Sequence, residues 1–494
     1  MAVASRSICT LASLAVLALA SACGSTDSAR VEVVTIGNAD DPFESGIRLS
    51  LAGQLSRAAT REGLVALDDR GRVVPSLADR WIVTDDGKSY IFRLRDGHWR
   101  DGTEITSRSA VIALRRAQRA LRQTSLGIDL RGIEEIREMA GRVVEIRLDR
   151  PMPHFLQILA QPELGLEKGG AGAGPMRLER QEDTAVLDLM RPEERGLPMI
   201  ENWQDRVRSI ALASANGEEA VDRFNDGRAD LVLGGRIGDF PRTASVGILR
   251  GTIQLDPATG LFGLEVLSRR GFLSEPTNRE ALAMAIDREA LIDQFSLDGW
   301  VAATTIVPVG LQEGVAPLNE RWAEITIEER RAMAASRVAA WRSGQEQAVD
   351  LQISVWFPQG PGSDMLFASL KKDLGSIGVT LVRAEPDDKG DLRLVETVAR
   401  YPDPAWFLNR FSCKVRKGLC DREADAKLTE AWQAQDPVQR AQLVAEAHEI
   451  LTQTNLFIPF GSPIRWSLVR GDVLGFSTNR WAWHPLMPMA MLPK

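Results

Sequence analysis

A short aromatic segment with two prolines, Ala399–Phe411 (ARYPDPAWFLNRF), limits what the surrounding chain can form. Pro402 and Pro404 each fix φ and lack a backbone N–H, so no regular strand or helix can run through both positions. Asp403 stands directly before Pro404, which is the pattern of a helix N-cap followed by proline at the first helical position. The sequence therefore predicts a rigid turn that leads into a short helix.

Charged, aromatic and amide side chains are concentrated on this turn and helix. Arg400, Tyr401 and Asp403 belong to the turn, and Trp406 and Asn409 belong to the predicted helix. Binding residues are disproportionately found on loops that a rigid scaffold positions, so these five are the candidate ligand-binding residues. The alternative is an ordinary connection into a helix whose aromatic residues face the core.

The chain as a whole has the composition of a large globular protein. Its 494 residues are too many for one hydrophobic core and predict two or three domains. Charged residues make up 26% and hydrophobic residues 44%, which excludes a disordered chain and a membrane bundle. The formal net charge of -7 argues against nucleic acid as the main partner.

The first 23 residues have the features of an export signal. Leu11–Ala20 (LASLAVLALA) is an apolar run too short to span a membrane as a stable helix. Ala20–Cys23 (ASAC) resembles the bacterial lipobox, in which the cysteine is acylated and becomes the mature N-terminus. Residues 1–23 would then be a lipoprotein signal peptide and the polar residues 24–30 a tether, with Cys23 anchoring the protein to the membrane in the periplasm or cell envelope. The alternative is a plain secretory signal, and either one predicts export from the cytoplasm.

Two cysteines follow the candidate site closely. Cys413 and Cys420 are the only cysteines beyond the signal region, and such a pair in an exported protein predicts a disulfide. A loop this small would stabilise the fold by roughly 2–3 kcal/mol and would stiffen the segment after Phe411. No metal site is predicted, because the four histidines are scattered and none is near the pair.

Catalytic motifs are missing from the sequence. There is no GxSxG, HExxH or GxxxxGK[ST] pattern. Ser369–Lys372 (SLKK) matches the SxxK motif of penicillin-binding proteins, but the SDN and KTG motifs that accompany it are absent. The glycine cluster Gly172–Pro175 is followed by a strand-like segment, which does not fit a phosphate-binding helix start. The prediction is a protein that is not an enzyme, with no catalytic residue and no cofactor.

Residues 63–114 resemble the signature region of family 5 extracellular solute-binding proteins, the peptide-, nickel- and related binding components of ABC importers. The positions that match the family pattern are Gly71, Pro75, Leu77, Ala78, Trp81, Asp86, Gly87, Phe92, Leu94, Arg95, Asp101, Gly102 and Thr103. Near the start of its helix the family carries an aspartate, where this chain has Ser109. Further segments resemble the family in the same order, namely 143–156, 172–176, 222–231, 278–292 and 436–460.

The resemblance implies an α/β, two-lobed periplasmic-binding-protein-like fold of type II, in the large cluster with an extra small domain. Lobe I would be discontinuous, the extra domain would interrupt it, and lobe III would carry residues 399–411. The implied ranges are 31–72, 185–260 and 471–494 for lobe I, 73–184 for the small α/β domain and 261–470 for lobe III. A ligand would be enclosed where the lobes close on each other.

The resemblance also places Arg400 where peptide-binding members carry an aspartate that pairs with the ligand's α-ammonium. An arginine there would repel an ammonium and favour a carboxylate or phosphate, which its guanidinium can hold with two parallel hydrogen bonds. We therefore expect that the usual salt bridge to a free peptide N-terminus is not made. The alternative is that Arg400 points to solvent or pairs with a lobe acid such as Asp403.

The implied function is the substrate-binding component of an ABC importer, which captures a peptide or peptide-like solute and delivers it to permease subunits. The implied protein is a monomer that binds no nucleic acid. Two alternatives stay open, a non-peptide anionic solute and a non-transport lipoprotein that acts as a sensor or assembly partner. The arginine at position 400 and the missing family asparagine near Glu265–Ser268 keep these alternatives open.

Overall fold

The structure is a computed structural model that describes residues 30–247, 251–311, 318, 320–347, 350–385, 387–415 and 418–492. The predicted signal peptide 1–23 with Cys23 lies outside the described residues, as does the predicted tether apart from Arg30.

Twenty strands lie in the described part of the chain. They are β1 (Arg30–Ile36), β2 (Val65–Leu67), β3 (Val73–Pro75), β4 (Ala78–Val83), β5 (Ser89–Leu94), β6 (Ile133–Met139), β7 (Val143–Leu148), β8 (Glu167–Lys168), β9 (Ala171–Gly172), β10 (Met176–Gln181), β11 (Thr184–Leu189), β12 (Ser209–Ala215), β13 (Leu231–Gly235), β14 (Ile253–Asp256), β15 (Gly260–Val266), β16 (Gln352–Trp356), β17 (Thr380–Arg383), β18 (Leu392–Val398), β19 (Phe457–Gly461) and β20 (Arg465–Val469).

Thirteen α-helices accompany these strands within the described residues, together with several short 3₁₀ helices. They are α1 (Leu51–Thr60), α2 (Ser107–Ala120), α3 (Ser125–Asp129), α4 (Phe155–Leu159), α5 (Gly217–Asn225), α6 (Pro276–Ala285), α7 (Arg288–Asp293), α8 (Ile327–Ser343), α9 (Pro361–Gly375), α10 (Pro404–Leu408), α11 (Arg422–Gln433), α12 (Pro437–Gln453) and α13 (Leu486–Met489).

The largest sheet has seven strands in the order β10-β11-β12-β1-β13-β20-β14. The central strand β1 is parallel to β12 and β13, and the outer pairs are antiparallel. Nearly every residue of β12 and β20 is buried. Strands buried on both faces are expected where helices cover a sheet on both sides, so this sheet is the centre of an α/β unit.

A second sheet has five strands in the order β17-β16-β18-β15-β19. Its central strand β18 is parallel to β16 and antiparallel to β15. The chain leaves β18 at Val398, and the backbone N–H of Ala399 donates to the carbonyl of Thr259 at 2.7 Å. The candidate segment Ala399–Phe411 thus begins directly after the central strand of this sheet, which fixes the position of its first residue.

A third, antiparallel sheet of four strands has the order β4-β5-β7-β6, and α2 packs on it. Ser109 has a capping function at the start of α2. Its hydroxyl accepts from the backbone N–H of Thr106 at 3.0 Å, and the Thr106 hydroxyl accepts from the N–H of Ser109 at 3.1 Å. This reciprocal capping box satisfies two of the free N–H groups at the helix start.

Two strands of the seven-stranded sheet fall outside the ranges predicted for lobe I. β10 lies in the range 73–184 of the small domain, and β20 lies in the range 261–470 of lobe III, yet both pair with strands of the large sheet. Strands that share a continuous ladder belong to one folding unit. We therefore propose that lobe I takes residues 176–260 and resumes at 465, and that the small domain ends before 176.

In the proposed division, lobes I and III contact each other closely at the start of α9. A side chain placed on Gly362 would put its Cβ 2.0 Å from the carbonyl oxygen of Ile237, which belongs to a 3₁₀ helix (Ile237–Ser245) of lobe I. Only glycine permits this approach, so residue 362 fixes how closely the two lobes pack.

We expect Gly362→Ala to destabilise the protein by about 1–3 kcal/mol, because the added methyl group forces the two elements apart. Gly375→Ala is the matched control in the same helix, since nothing lies within 4 Å of its added Cβ. The control should be neutral or stabilising by up to about 1 kcal/mol, because alanine has the higher helix propensity. Urea unfolding of both variants measures the difference, and equal effects would contradict the tight contact.

Candidate functional site

A cavity of about 1260 Å³ lies between the three parts of the fold. In the proposed division, residues 47–49 belong to lobe I, residues 121–129 and Glu163 belong to the small domain, and lining residues within the segments 261–273 and 389–418 belong to lobe III. Ligand cavities of proteins commonly measure ~300–1,000 Å³, so this one has room for a ligand of several residues.

The lining of this cavity is basic, although the whole chain carries a net charge of -7. Among the described residues, seven basic and five acidic side chains line it. Four of the basic ones, namely Arg48, Arg269, Arg270 and Lys389, are exposed to solvent. Three of the less exposed charges are Arg400 and Arg410, which belong to the segment Ala399–Phe411, and Glu163, which is hydrogen-bonded to Arg400.

The segment Ala399–Phe411 has the predicted local structure. Asp403 is the N-cap of α10, its carboxylate accepts from the backbone N–H of Ala405 at 2.8 Å, and Pro404 is the first helical residue. Trp406 and Phe407 are only 4% and 0% exposed, so the helix also forms part of the core. The rigid turn and the core-facing helix are therefore two properties of the same segment.

Arg400 lines the cavity but its charge is already paired. Its Nη1 and Nη2 atoms donate to Oε2 and Oε1 of Glu163, each at 2.7 Å. Burial alone would raise the pKa of Glu163, but the adjacent guanidinium more than offsets this and holds that pKa below its ordinary value. Arg400 is thus held by Glu163, and its side chain remains partly exposed to solvent.

Asp129 is the second acid on this side of the cavity. Its Oδ1 accepts from the side-chain amide of Asn409 at 2.7 Å, and the hydroxyl of Tyr401 also hydrogen-bonds to its carboxylate. Burial raises the pKa of Asp129 to about 7, and these hydrogen bonds only partly oppose the rise. Asp129 therefore gains or loses its charge near neutral pH.

Arg410 lines the cavity one helical turn after Trp406 and is half-buried. Its guanidinium carbon lies 4.9 Å from the centre of the Trp406 ring, which is a cation–π contact. Within the described part of the chain, no carboxylate or carbonyl accepts a hydrogen bond from it. Burial lowers the pKa of Arg410 to about 10, and the side chain stays positively charged at neutral pH.

The predicted site residues take three different positions. Arg400 and Trp406 line the cavity. Tyr401 and Asn409 are buried behind it and hold Asp129, and Asp403 caps α10.

Sequence reasoning missed Asp129, Glu163 and Arg410. The two acids are 280 and 237 residues away from their partners, so no local pattern announces them. Arg410 follows Trp406 at the i, i+4 spacing of neighbours on a helix face, which is a signal that could have found it.

The predicted disulfide between Cys413 and Cys420 is confirmed. It closes the chain next to the cavity, where Val415 and Gly418 form part of the lining. The described residues contain no cluster of three or more potential metal ligands. Among the helices of the described ranges, none has the length and apolar character needed to cross a membrane.

Comparison with known proteins finds a family of solute-binding proteins and relatives named as binding proteins. The sequence profile "Bacterial extracellular solute-binding proteins, family 5 Middle" matches residues 72–418. A probable di/tripeptide-binding protein 5 of Pseudomonas aeruginosa is 24% identical over 477 residues, which cover 83% of this chain and 85% of the relative. A probable deoxycholate-binding periplasmic protein, YgiS of Escherichia coli, is 26% identical over 471 residues, with 84% of each chain covered.

Solved structures show the same fold. The oligopeptide-binding protein OppA of Haemophilus influenzae, in complex with the peptide RPPGFSPFR, superposes with a TM-score of 0.77 at 17% identity, covering 94% of this chain and 99% of that one. The murein tripeptide-binding protein MppA of Escherichia coli gives 0.77 at 18% identity, with the same coverage. The predicted two-lobed α/β fold is therefore confirmed, and the profile match over residues 72–418 shows that the chain belongs to the family 5 bacterial extracellular solute-binding proteins.

Proposed function

We propose that this protein is the substrate-binding component of an ABC importer that captures a peptide or peptide-like solute and delivers it to a membrane permease. The observation that carries the proposal is the cavity of about 1260 Å³, whose walls come from lobe I, the small domain and lobe III. Closure of lobes around a ligand produces this arrangement, since a cleft between mobile domains encloses a solute when the domains approach. Family membership and the names of the relatives support a peptide as the solute.

Location and partners form part of the same proposal. Export by residues 1–23 and acylation of Cys23 would tether a monomer on the outer side of the membrane, where a permease could receive the solute. The relatives named as periplasmic support this location. We also propose that the protein binds without catalysis, which agrees with the solute-binding role of its family.

Arg400 enters the proposal in a role different from the one predicted. The pair with Glu163 neutralises its charge, so the residue neither attracts a ligand anion strongly nor repels an ammonium strongly. We propose that Arg400 joins the small domain to lobe III and that the ammonium of a peptide is not held at this position. Trp406 would contribute a flat apolar wall.

Two measurements test the proposed function. Mass spectrometry of ligand that co-purifies with natively folded protein should detect peptides or compounds with a peptide-like backbone. Thermal shift and calorimetry with a tripeptide mixture should show saturable binding that raises the unfolding temperature, because a ligand that binds only the folded state stabilises it by mass action. Co-purification of unrelated compounds, with no response to peptides, would contradict the proposal.

A further inference from the structure

Three arginines of lobe III line the interior of the cavity, and two of them are paired. Arg400 is held by Glu163, and Arg393 donates to Oε2 of Glu265, with its Nε atom at 3.1 Å. Arg410 has no such hydrogen-bonded acid among the described residues, although it also lines the cavity. The protein thus brings a guanidinium that has no hydrogen-bonded acid among the described residues into a partly enclosed space.

A guanidinium without a hydrogen-bonded counter-charge in a partly enclosed cavity has a cost in free energy. Moving a cation out of water is unfavourable unless a counter-charge and hydrogen bonds replace the lost hydration. The contact with Trp406 recovers part of this cost but satisfies none of the N–H donors, which point in the plane of the guanidinium. The N–H donors of Arg410 therefore remain available to another molecule.

We propose that Arg410 is the anchor for a carboxylate of the bound solute, so that the ligand class is one with a free carboxylate placed against Trp406 and α10. This inference rests on the proposed function and specifies its ligand. A planar guanidinium matches a carboxylate with two parallel hydrogen bonds, and the contact with Trp406 places the guanidinium against a rigid aromatic ring.

The other basic groups of the cavity do not offer the same site. Arg48, Arg270 and Lys389 are exposed and hydrated, so an ion pair with any of them would contribute little. Arg269 is exposed too, and its guanidinium donates to the carbonyl of Gly418. Arg410 is less exposed, contacts the Trp406 ring, and has N–H donors without an acceptor among the described residues. These three properties together distinguish it as the anchor.

The test uses one randomised tripeptide mixture in three forms, with free ends, with an amidated C-terminus and with an acetylated N-terminus. Each is titrated into the full chain, into Arg410→Gln and Arg410→Lys, and into Arg116→Gln as a control at an exposed position of α2 outside the cavity. Urea unfolding of each variant establishes that it is folded. Succinate, citrate and inorganic phosphate are titrated into the same four proteins.

Amidation is expected to weaken binding to the unmodified protein by about 10- to 100-fold, the effect of losing a hydrogen-bonded charge pair, whereas acetylation should change it less. Arg410→Gln should bind the free mixture as weakly as the unmodified protein binds the amide, and it should no longer distinguish the two. Arg410→Lys should recover part of the affinity, and Arg116→Gln should bind normally.

Equal binding of free and amidated peptides by the unmodified protein would overturn the inference and leave the proposed function standing. Preserved discrimination in Arg410→Gln would also overturn it. If no peptide binds, the proposed function fails, and the anion titrations decide the inference separately. Binding of succinate or citrate that Arg410→Gln abolishes would then support it, whereas binding of phosphate alone, or of no anion, would overturn it.

Discussion

Replacing Glu163 by glutamine is expected to destabilise the protein by about 2–3 kcal/mol, because the Arg400 guanidinium then loses its charged partner. Glu163 is almost fully buried, with a side chain 4% exposed, whereas the Arg400 side chain is 29% exposed. A fully buried pair that loses one member costs about 3–5 kcal/mol, and solvent around the arginine screens part of that cost. The free energy of unfolding from urea titration gives the measurement.

A double-mutant cycle isolates the interaction between the two side chains. We expect Glu163→Gln, Arg400→Gln and the double variant to give a coupling energy of about 1–2 kcal/mol, since both members share two hydrogen bonds. The exposed pair of Glu219 and Arg223 on α5 is the matched control, for which a helical i, i+4 pair predicts ~0.5 kcal/mol or less. Additive effects at positions 163 and 400 would show that the pair contributes no coupling.

The pair also makes a prediction about pH. The pKa of Glu163 is below its ordinary value of 4.5 in the folded state, so the folded protein holds the ionised form more strongly than the unfolded chain does. The stabilisation is therefore fully present above about pH 4.5 and is lost as the pH falls through the lower, folded-state pKa. Glu163→Gln should accordingly differ from the unmodified protein at pH 7 and approach it in stability as the pH falls below 4.

Features of the site that depend on neighbouring residues could be predicted from the sequence, whereas contacts between residues far apart in the chain could not. Proline geometry predicted the turn at Pro402 and Pro404 and the cap at Asp403, because these effects act within a few residues. The disulfide followed from two cysteines in one short segment of an exported chain. The partners of Arg400 and Asn409 come from the small domain more than 200 residues away, and only the folded chain brings them together.

Arg400 illustrates the same distinction, because a distant partner changes the role that its sequence position predicts. Its sequence position predicted a cation that faces the ligand, and the structure places it at the cavity, but with a charge that Glu163 already balances. Among the described lining arginines that are not fully exposed, the one without a hydrogen-bonded acid is Arg410, ten positions later. The sequence shows that a residue is charged. Whether its charge and hydrogen-bond donors are still available to a ligand depends on the distant groups that the fold places beside it.

Asp129→Asn is expected to stabilise the protein at pH 8 and to do so progressively less at lower pH. The folded-state pKa of Asp129 is about 7, and its ordinary value is 3.8, because burial disfavours the charged carboxylate. Between these two values the unfolded chain loses the proton and the folded protein keeps it, so stability falls as the pH rises. The difference of about 3 pKa units corresponds to a cost of ~4 kcal/mol at pH 8, which the uncharged asparagine avoids.

The gain in the free energy of unfolding should therefore grow by about 2–3 kcal/mol between pH 5 and pH 8, measured by urea titration of both proteins at each pH. Asp85→Asn, at an exposed position of the small domain, serves as the control and should change stability by less than ~0.5 kcal/mol at either pH. A gain that does not depend on pH would mean that asparagine acts through packing and that Asp129 does not titrate in this range.

Ligand binding by the same variant links this acid to Arg410. The carboxylate of Asp129 is one of the negative charges that act on Arg410 in the folded protein. If Arg410 receives a carboxylate, removing that negative charge should strengthen the binding of free-carboxylate peptides at pH 8, because less repulsion opposes the incoming anion. If Asp129 instead holds an ammonium of the ligand, the variant should bind more weakly, and the direction of the change decides which charge of the solute meets this wall of the cavity.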